Sequence, residues 1–598
     1  MADQRWLPYY GDIPATIPYP DITLYEGLTR TAAEHADHVA VEFLDGRVTY
    51  GRLEELVNSA ARGLWALGVR PGDRLALLIP NMPHAAVLLY AANRLGVAMS
   101  LFHAEAGSRA VSAHLTDFDP TWMAVSDEHV GGVLRLLSAH SVRGLVVCTY
   151  RDFGRHAAVK RMQRMRRRSN VDLGGIRGAS GRNGSSGETG REAPPVFAWT
   201  SFMQLGAHLD LPAHREVHDP DRLAVVLYTG GTTGAPVGVM HTDRQLNAVA
   251  LQTQVQGPLL AGQGLLSLVP LSHGYGIAVA VHAAVSAAAL SIIVPHFTSR
   301  ELARLVRRRQ PEYLVGVPET YIGLVFDRVF RLTRHRARMG AFCGGDRLAK
   351  SVRERFELIV RRRGGAIGIR EGYGLTETVT ACATMPDSDS RPGTVGIPYP
   401  DTLIGIAEPA CSTDERRGDP AWLADGELGE ILVSGPTVMQ GYWRREDLTR
   451  RAFHVGTDGR TWLRTGDLGR MDADGFLSIV ERIPDQPAVP GTRIHPGLAE
   501  VALNEHVEVL EACVTARVDG SAVVLTAHVA PVDTDRDPRW LEQHLRDALE
   551  SLDEEQRPVW YRFHTRLPRT LGGVIDRRRL RRERTGCRDR RGETWAPT

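Results

Sequence analysis

The sequence predicts an α/β protein with a large N-terminal part built on mostly parallel sheet, then a small barrel-like region and a small α+β unit. Three observations carry this. Helix and strand signals alternate from Thr49 to Cys148, the texture changes to short strands with glycine turns after Pro398, and it shifts again near Asp485. A chain of 598 residues is also too long for one compact unit.

The elements follow in order. Leu53, Leu56, Val57, Ala60, Ala61, Leu64 and Leu67 recur at helical spacing, Gly68 stops that helix, and Arg74 to Ile79 begins an apolar strand. Ala85 to Leu95 and Val130 to Leu137 suit helices, while Thr121 to Val125 and Gly144 to Cys148 suit strands. Such alternation implies a parallel sheet with helices on its faces. Arg155 to Asn170 is strongly basic and Leu173 to Pro195 is rich in Gly, Ser and Arg, which together read as a solvated inserted loop. After Pro398, Glu430 to Ser434 and Gly475 to Val480 read as strands of a barrel-like subdomain, about residues 398–484. Beyond Asp485 come strands at Ala512 to Val518 and Ala522 to Val529 and an amphipathic helix at Pro538 to Leu552. The expected division is 1–484, then 485–580, then a basic tail 581–598.

Composition narrows the function. A net charge of +2 gives no global electrostatic case for nucleic acid. The six cysteines are scattered without a close ligand pair, as expected of reduced thiols in the cytoplasm. The N-terminus has neither a basic n-region nor an apolar h-region, so no export signal is expected. Gly276 to Val294 is apolar but contains His282 and ends at Pro295, which suits a buried helix running into a strand better than a membrane span. Lys160 and Lys350 are the only lysines, so arginine supplies 70 of the 72 basic residues.

The sharpest motif is Tyr228-Thr229-Gly230-Gly231-Thr232-Thr233-Gly234-Ala235-Pro236-Val237-Gly238, delivered by the apolar run Leu223 to Leu227. Closely spaced glycines permit tight curvature and expose N–H groups, and the threonine hydroxyls add donors, as a polyphosphate cradle requires. It is neither a Walker arrangement nor a dinucleotide fingerprint.

This segment closely resembles the phosphate loop of the adenylate-forming superfamily, which includes acyl-CoA and aryl-CoA synthetases, peptide-synthetase adenylation domains and luciferases. Further matches follow in family order: Pro270 to Gly274, Cys343-Gly344-Gly345, Glu371 to Glu377, Gly393 to Gly396, Gly426 to Glu430 and Trp462 to Asp467. They persist through Arg482, Ile494 to Pro496 and Leu567 to Thr570, and the N-terminal region resembles medium- and long-chain acyl-CoA synthetases. The resemblance implies two parallel-sheet subdomains, a small β-barrel and a mobile lid.

It also implies roles. Tyr373 would lie against adenine, Thr376 would donate to the α-phosphate, and Glu377 would hold Mg²⁺, a hard cation suited to oxygen. Asp467 would accept from the ribose hydroxyls, helped by Arg482, and Thr229, Gly230, Gly231, Thr232, Thr233 and Gly234 would cradle phosphate. His273 would flank the acyl site, with Val317, Pro318, Cys343, Gly344 and Gly345 lining the acid pocket or the adjoining adenine wall.

Three departures from the family pattern stand out. Val237 occupies a place where the phosphate loop usually has lysine, and Gly573-Val574-Ile575 stands where a Gly-Lys-Ile triplet is usual. Pro484 lies beside the expected hinge residue, within Glu481 to Asp485, and fixes φ there. Loss of a donor aimed at developing charge costs about 2.7–4 kcal/mol. Three functional readings follow. The first is ATP-dependent activation of a carboxylic acid and transfer to coenzyme A. The second is adenylation of an unusual small acid such as nitrite, or transfer to an amine or carrier protein, and the third is a nucleotide-binding pseudoenzyme. Homodimerisation is left open.

Overall fold

The structure is a computed structural model that describes residues 4–168, 194–211, 218–229, 236–335, 340–366, 368–387, 389–409, 419–486, 494–519, 522–583, 587–588 and 594–595. Its two largest sheets account for the alternating texture. In the nine-stranded sheet six parallel strands run side by side in the order Ile369–Gly374, Gly340–Cys343, Tyr313–Gly316, Gly264–Ser267, Leu290–Ile293 and Val39–Phe43. Antiparallel strands finish both edges, Gly46–Thr49 on one and Ala381–Thr384 with Ile397–Pro398 on the other.

The eight-stranded sheet also has a six-stranded parallel centre, in the order Leu223–Thr229, Ala98–Leu101, Arg74–Leu78, Trp122–Ser126, Leu145–Cys148 and Val196–Ala198. Val237–Thr242 folds back antiparallel on Leu223–Thr229, and the two-residue strand Gly441–Tyr442 closes that edge.

Helices lie between the two sheets. One continuous core joins Val41 and Phe43 of the first sheet to Leu75, Leu77 and Met99 of the second through side chains of Tyr50–Ala66, His84–Arg94 and Asp243–Gln256. Ten of the eleven residues of His84–Arg94 are buried, which explains why its sequence is apolar all round. The apolar stretch from Gly276 forms a buried π-helix, Tyr275–Ala283, then a short α-helix and the strand Leu290–Ile293. Among the described residues no helix is long and apolar enough to cross a membrane.

The strands after Pro398 make a five-stranded antiparallel sheet of Leu403–Ala407, Gly429–Ser434, Thr461–Met471, Phe453–Val455 and Leu477–Arg482. The C-terminal part holds Val509–Asp519 and Ala522–Pro531 as a hairpin, with Trp560–Phe563 parallel to its second strand. Helices Pro496–Asn504 and Pro538–Asp547 cover one face through Leu503, Leu541 and Leu545.

One expectation is corrected. The basic stretch expected as a loop is an α-helix over His156–Arg168. Ala158, Val159 and Met162 lie on its buried side, so three apolar residues at helical spacing outweigh the run of arginines around them. Most of the Gly- and Ser-rich stretch that follows lies outside the described residues.

Candidate active site

Tyr373 lies on the last parallel strand of the larger sheet, and burial holds its ring in place. Its hydroxyl donates to Asp467 Oδ2 at 2.8 Å, and Arg482 Nε donates to Asp467 Oδ1 at 3.1 Å. The second contact is set by register, because Asp467 and Arg482 are direct partners across Thr461–Met471 and Leu477–Arg482. Burial raises the Asp467 pKa, and the opposing pull of Arg482 and Tyr373 keeps a polar anchor in an otherwise dry place. Both oxygens of the carboxylate are thus aimed before any ligand arrives.

Thr376 and Glu377 occupy the 3₁₀ turn Thr376–Thr378. The turn is pinned from outside. His241 Nε2 lies 2.7 Å from the Thr376 carbonyl, and Met439 N–H donates to the Glu377 carbonyl at 2.8 Å. Val379 follows with φ 64° and ψ −54°, and Thr380 N–H donates to the Thr378 carbonyl at 2.7 Å. That is a strained γ-turn centred on a β-branched residue, where a bulky side chain is a genuine outlier. Its cost is met by dense packing: a Cβ placed on Gly274 would stand 1.7 Å from the Val379 carbonyl oxygen.

Glu377 Oε1 accepts from the Tyr442 hydroxyl at 2.8 Å. Burial raises the Glu377 pKa, and the Tyr442 hydrogen bond and nearby Arg482 work against that rise, so Glu377, Arg482 and Asp467 share one electrostatic environment. A half-buried carboxylate with one oxygen bonded by the protein is a fitting oxygen donor for Mg²⁺.

The C-terminal loop is seated against the same region. Ile575 N–H donates to Asp346 Oδ2 at 3.0 Å, and Arg569, itself paired with Glu511, lies 3.8 Å from that carboxylate. Gly573 has φ 81° and Gly345 has φ 85°, and Cβ positions built on them fall 3.1 Å and 3.6 Å from the two methyls of Val317. Val317 is therefore wedged between the residue before Val574 and the residue after Gly344. Gly344 packs against the Tyr275 ring, with a built Cβ 3.4 Å from Cε1. The backbone of Leu571 meets His103, which interacts electrostatically with His273.

The structure thus brings Tyr373, Thr376, Glu377, Asp467 and Arg482 into one place, with His273, Gly344, Gly345 and Val317 beside the C-terminal loop. Thr229 ends the strand entering the phosphate loop and pairs with Val237 on the strand leaving it. Gly230, Gly231, Thr232, Thr233 and Gly234 lie outside the described residues. Sequence reasoning missed Tyr442, His103, Asp346 and Glu511. Asp346 directly follows Gly344-Gly345, which was a usable signal; Tyr442 carried none. Cys343 is buried and its thiol pKa is pushed up by that burial, which suits a wall residue.

Comparison with known proteins gives the family and the fold. A family described as AMP-binding enzyme matches residues 28–443. A long-chain-fatty-acid–CoA ligase of Bacillus subtilis (strain 168) is 28% identical over 601 residues, covering 98% of this chain and 99% of its own. A feruloyl-CoA synthase of Amycolatopsis sp is 26% identical over 544 residues, covering 90% and 94%. Among solved structures, an anthranilate CoA ligase in complex with anthranoyl-AMP superposes with a TM-score of 0.76 at 19% identity, over 96% of this chain and 98% of that one. A benzoate CoA ligase from Burkholderia xenovorans LB400 gives 0.72 at 22% identity, over 94% and 99%. At such identities the structures speak for the fold alone.

Proposed function

This chain belongs to the AMP-binding enzyme family, and from that premise we propose that it activates a carboxylic acid with ATP as an acyl-adenylate and passes the acyl group to coenzyme A. The carrying observation is the preset chain from Tyr373 through Asp467 to Arg482, with Glu377 alongside. The relatives named for long-chain fatty acids and for ferulate support a fatty or aryl acid as substrate.

In the first half-reaction a carboxylate oxygen of the acid attacks the α-phosphorus, and the bond to the β-phosphate breaks as pyrophosphate leaves. Tyr373 offers a flat ring for adenine, and Asp467 with Arg482 orients the ribose. Thr376 would donate to the α-phosphate, and the resemblance gives Thr232 and Thr233 of the phosphate loop the part of further hydroxyl donors. Glu377 would hold Mg²⁺, which offsets charge on the phosphates when bound. In the second half-reaction the thiolate of coenzyme A attacks the acyl carbonyl and AMP departs, with His273 at the acyl side.

We assign residues 1–484 to the nucleotide-holding part and 485–580 to a lid, with 581–598 as a tail. Asp485 marks the join, held by Arg581 at 2.7 Å and Arg577 at 3.8 Å. A cytoplasmic location belongs to the same proposal.

The test is incubation with ATP, Mg²⁺, coenzyme A and a panel of fatty and aryl acids. Release of AMP and pyrophosphate that depends on both the acid and coenzyme A is expected. No turnover across a broad panel sinks the proposal. Turnover with an amine, a carrier protein or nitrite in place of the usual partner would move the function to those chemistries, for which Val574 is the motive.

A further inference from the structure

The hairpin Val509–Asp519 and Ala522–Pro531 has a second face, opposite the one covered by helices. Strand alternation places Leu525, Ala527 and Val529 in the helix-covered core, so Thr526 and His528 point the other way. Register brings His528 opposite Arg562 on the parallel strand Trp560–Phe563, and His564 follows that strand directly. The helix Arg577–Arg582 passes over this face and ends at Glu583.

From this geometry we propose that His528, His564 and Glu583 form a binding site for a divalent transition-metal ion of the zinc class, unrelated to nucleotide binding. The donor atoms of the three residues lie within 4.8 Å of one another. His528 Nδ1 and His564 Nε2 are 3.1 Å apart. Two nitrogens on a tetrahedral zinc, with bonds of about 2.0–2.1 Å, stand about 3.3 Å apart, so the two rings already span one edge of such a site. The outer nitrogen of His528, Nε2, lies 3.1 Å from the Thr515 hydroxyl. A partner of that kind orients a ligating imidazole, and its inner nitrogen, now hydrogen-bonded to His564 Nε2, would exchange that contact for the metal. His528 is buried and Glu583 exposed, so the set runs from the core of the unit to its surface. A cavity of about 130 Å³ lined by Thr515, Thr526, His528, Arg562 and Glu583 opens beside two of the three ligands. Arg562 stands 3.6 Å from the Glu583 carboxylate and keeps it beside the rings. Two imidazoles and a carboxylate suit zinc or its neighbours rather than magnesium or calcium.

The experiment uses the full chain without an affinity tag, stripped with chelator and titrated with Co²⁺ in the absence of nucleotide. One equivalent should bind with the intense visible bands of tetrahedral cobalt, and Zn²⁺ should displace it. His564→Gln and Glu583→Gln, both away from the buried core, should each weaken binding at least tenfold, while Glu377→Gln leaves the bands in place. Absence of tetrahedral bands, or bands indifferent to His564→Gln and Glu583→Gln, overturns the proposal. Since the readout needs no acid, ATP or turnover, it stands or falls apart from the ligase reaction.

Discussion

The residues on either side of Val574 touch Val317 and Asp346, so a side chain introduced there starts from a loop seated against the site. Val574→Lys should therefore raise the rate of acyl-adenylate formation at least about tenfold, equivalent to about 1.4 kcal/mol of transition-state stabilisation. Pyrophosphate exchange measures it. Val237 is placed differently, opposite Thr229 at the foot of the phosphate loop, so Val237→Lys should act on ATP affinity or pyrophosphate departure. If both substitutions leave the rate unchanged or lower it with ATP binding intact, the two sites serve a reaction that has no use for the added cations. The double variant tests for coupling, since groups acting on one transition state seldom add independently.

At the scale of elements, the turn bearing Thr376 and Glu377 is held in a strained geometry by packing as well as by hydrogen bonds. Gly274 leaves no room beside Val379, so Gly274→Ala should displace the turn and with it Glu377. The expected result is about 1–3 kcal/mol of lost stability, as in other overpacked sites. A rise in the Mg²⁺ concentration needed for half-maximal activity should accompany it. Thermal melts and Mg²⁺ titrations read the two effects separately, and unchanged Mg²⁺ dependence would show that the turn does not rely on this packing. The elements themselves were largely legible in the sequence, because apolar periods of helix and strand are local. Val130–Leu137 has the expected bounds, and Tyr50–Ala66 and His84–Arg94 differ by a residue or so at their ends. The helix His156–Arg168 was not legible, since its charge run hides a narrow apolar side. Nor was the Tyr442 to Glu377 bond, which joins residues 65 positions apart through a strand only two residues long.

The whole molecule is caught with its C-terminal loop against the nucleotide-binding part, and contacts 229 positions apart in sequence hold it there, between Ile575 and Asp346. Ser351 adds a hydrogen bond from its hydroxyl to the Val509 carbonyl. Asp346→Ala should loosen this seating, since it removes the acceptor for Ile575 and the carboxylate near Arg569. Acyl-adenylate formation should fall roughly tenfold, the effect of losing a hydrogen bond to a charged group. Transfer from a supplied acyl-adenylate to coenzyme A should keep its rate. Equal losses in both steps would mean that Asp346 serves the pocket wall and not the seating. No local pattern marks such long-range contacts, which is why the motifs suggested the pieces of the site but not their seating.

The small strand Gly441–Tyr442 has one more consequence. Its backbone is laced to Val237–Thr242, the outgoing arm of the phosphate loop, while the Tyr442 ring reaches to Glu377. Two residues therefore act as a spacer bar, fixing how far the Glu377 carboxylate stands from the arm Val237–Thr242. A tug on either end is felt at the other with no intervening hinge to absorb it. The gauge between Val237–Thr242 and the Glu377 carboxylate is thus set in the resting protein by one short strand pairing and one tyrosine hydroxyl.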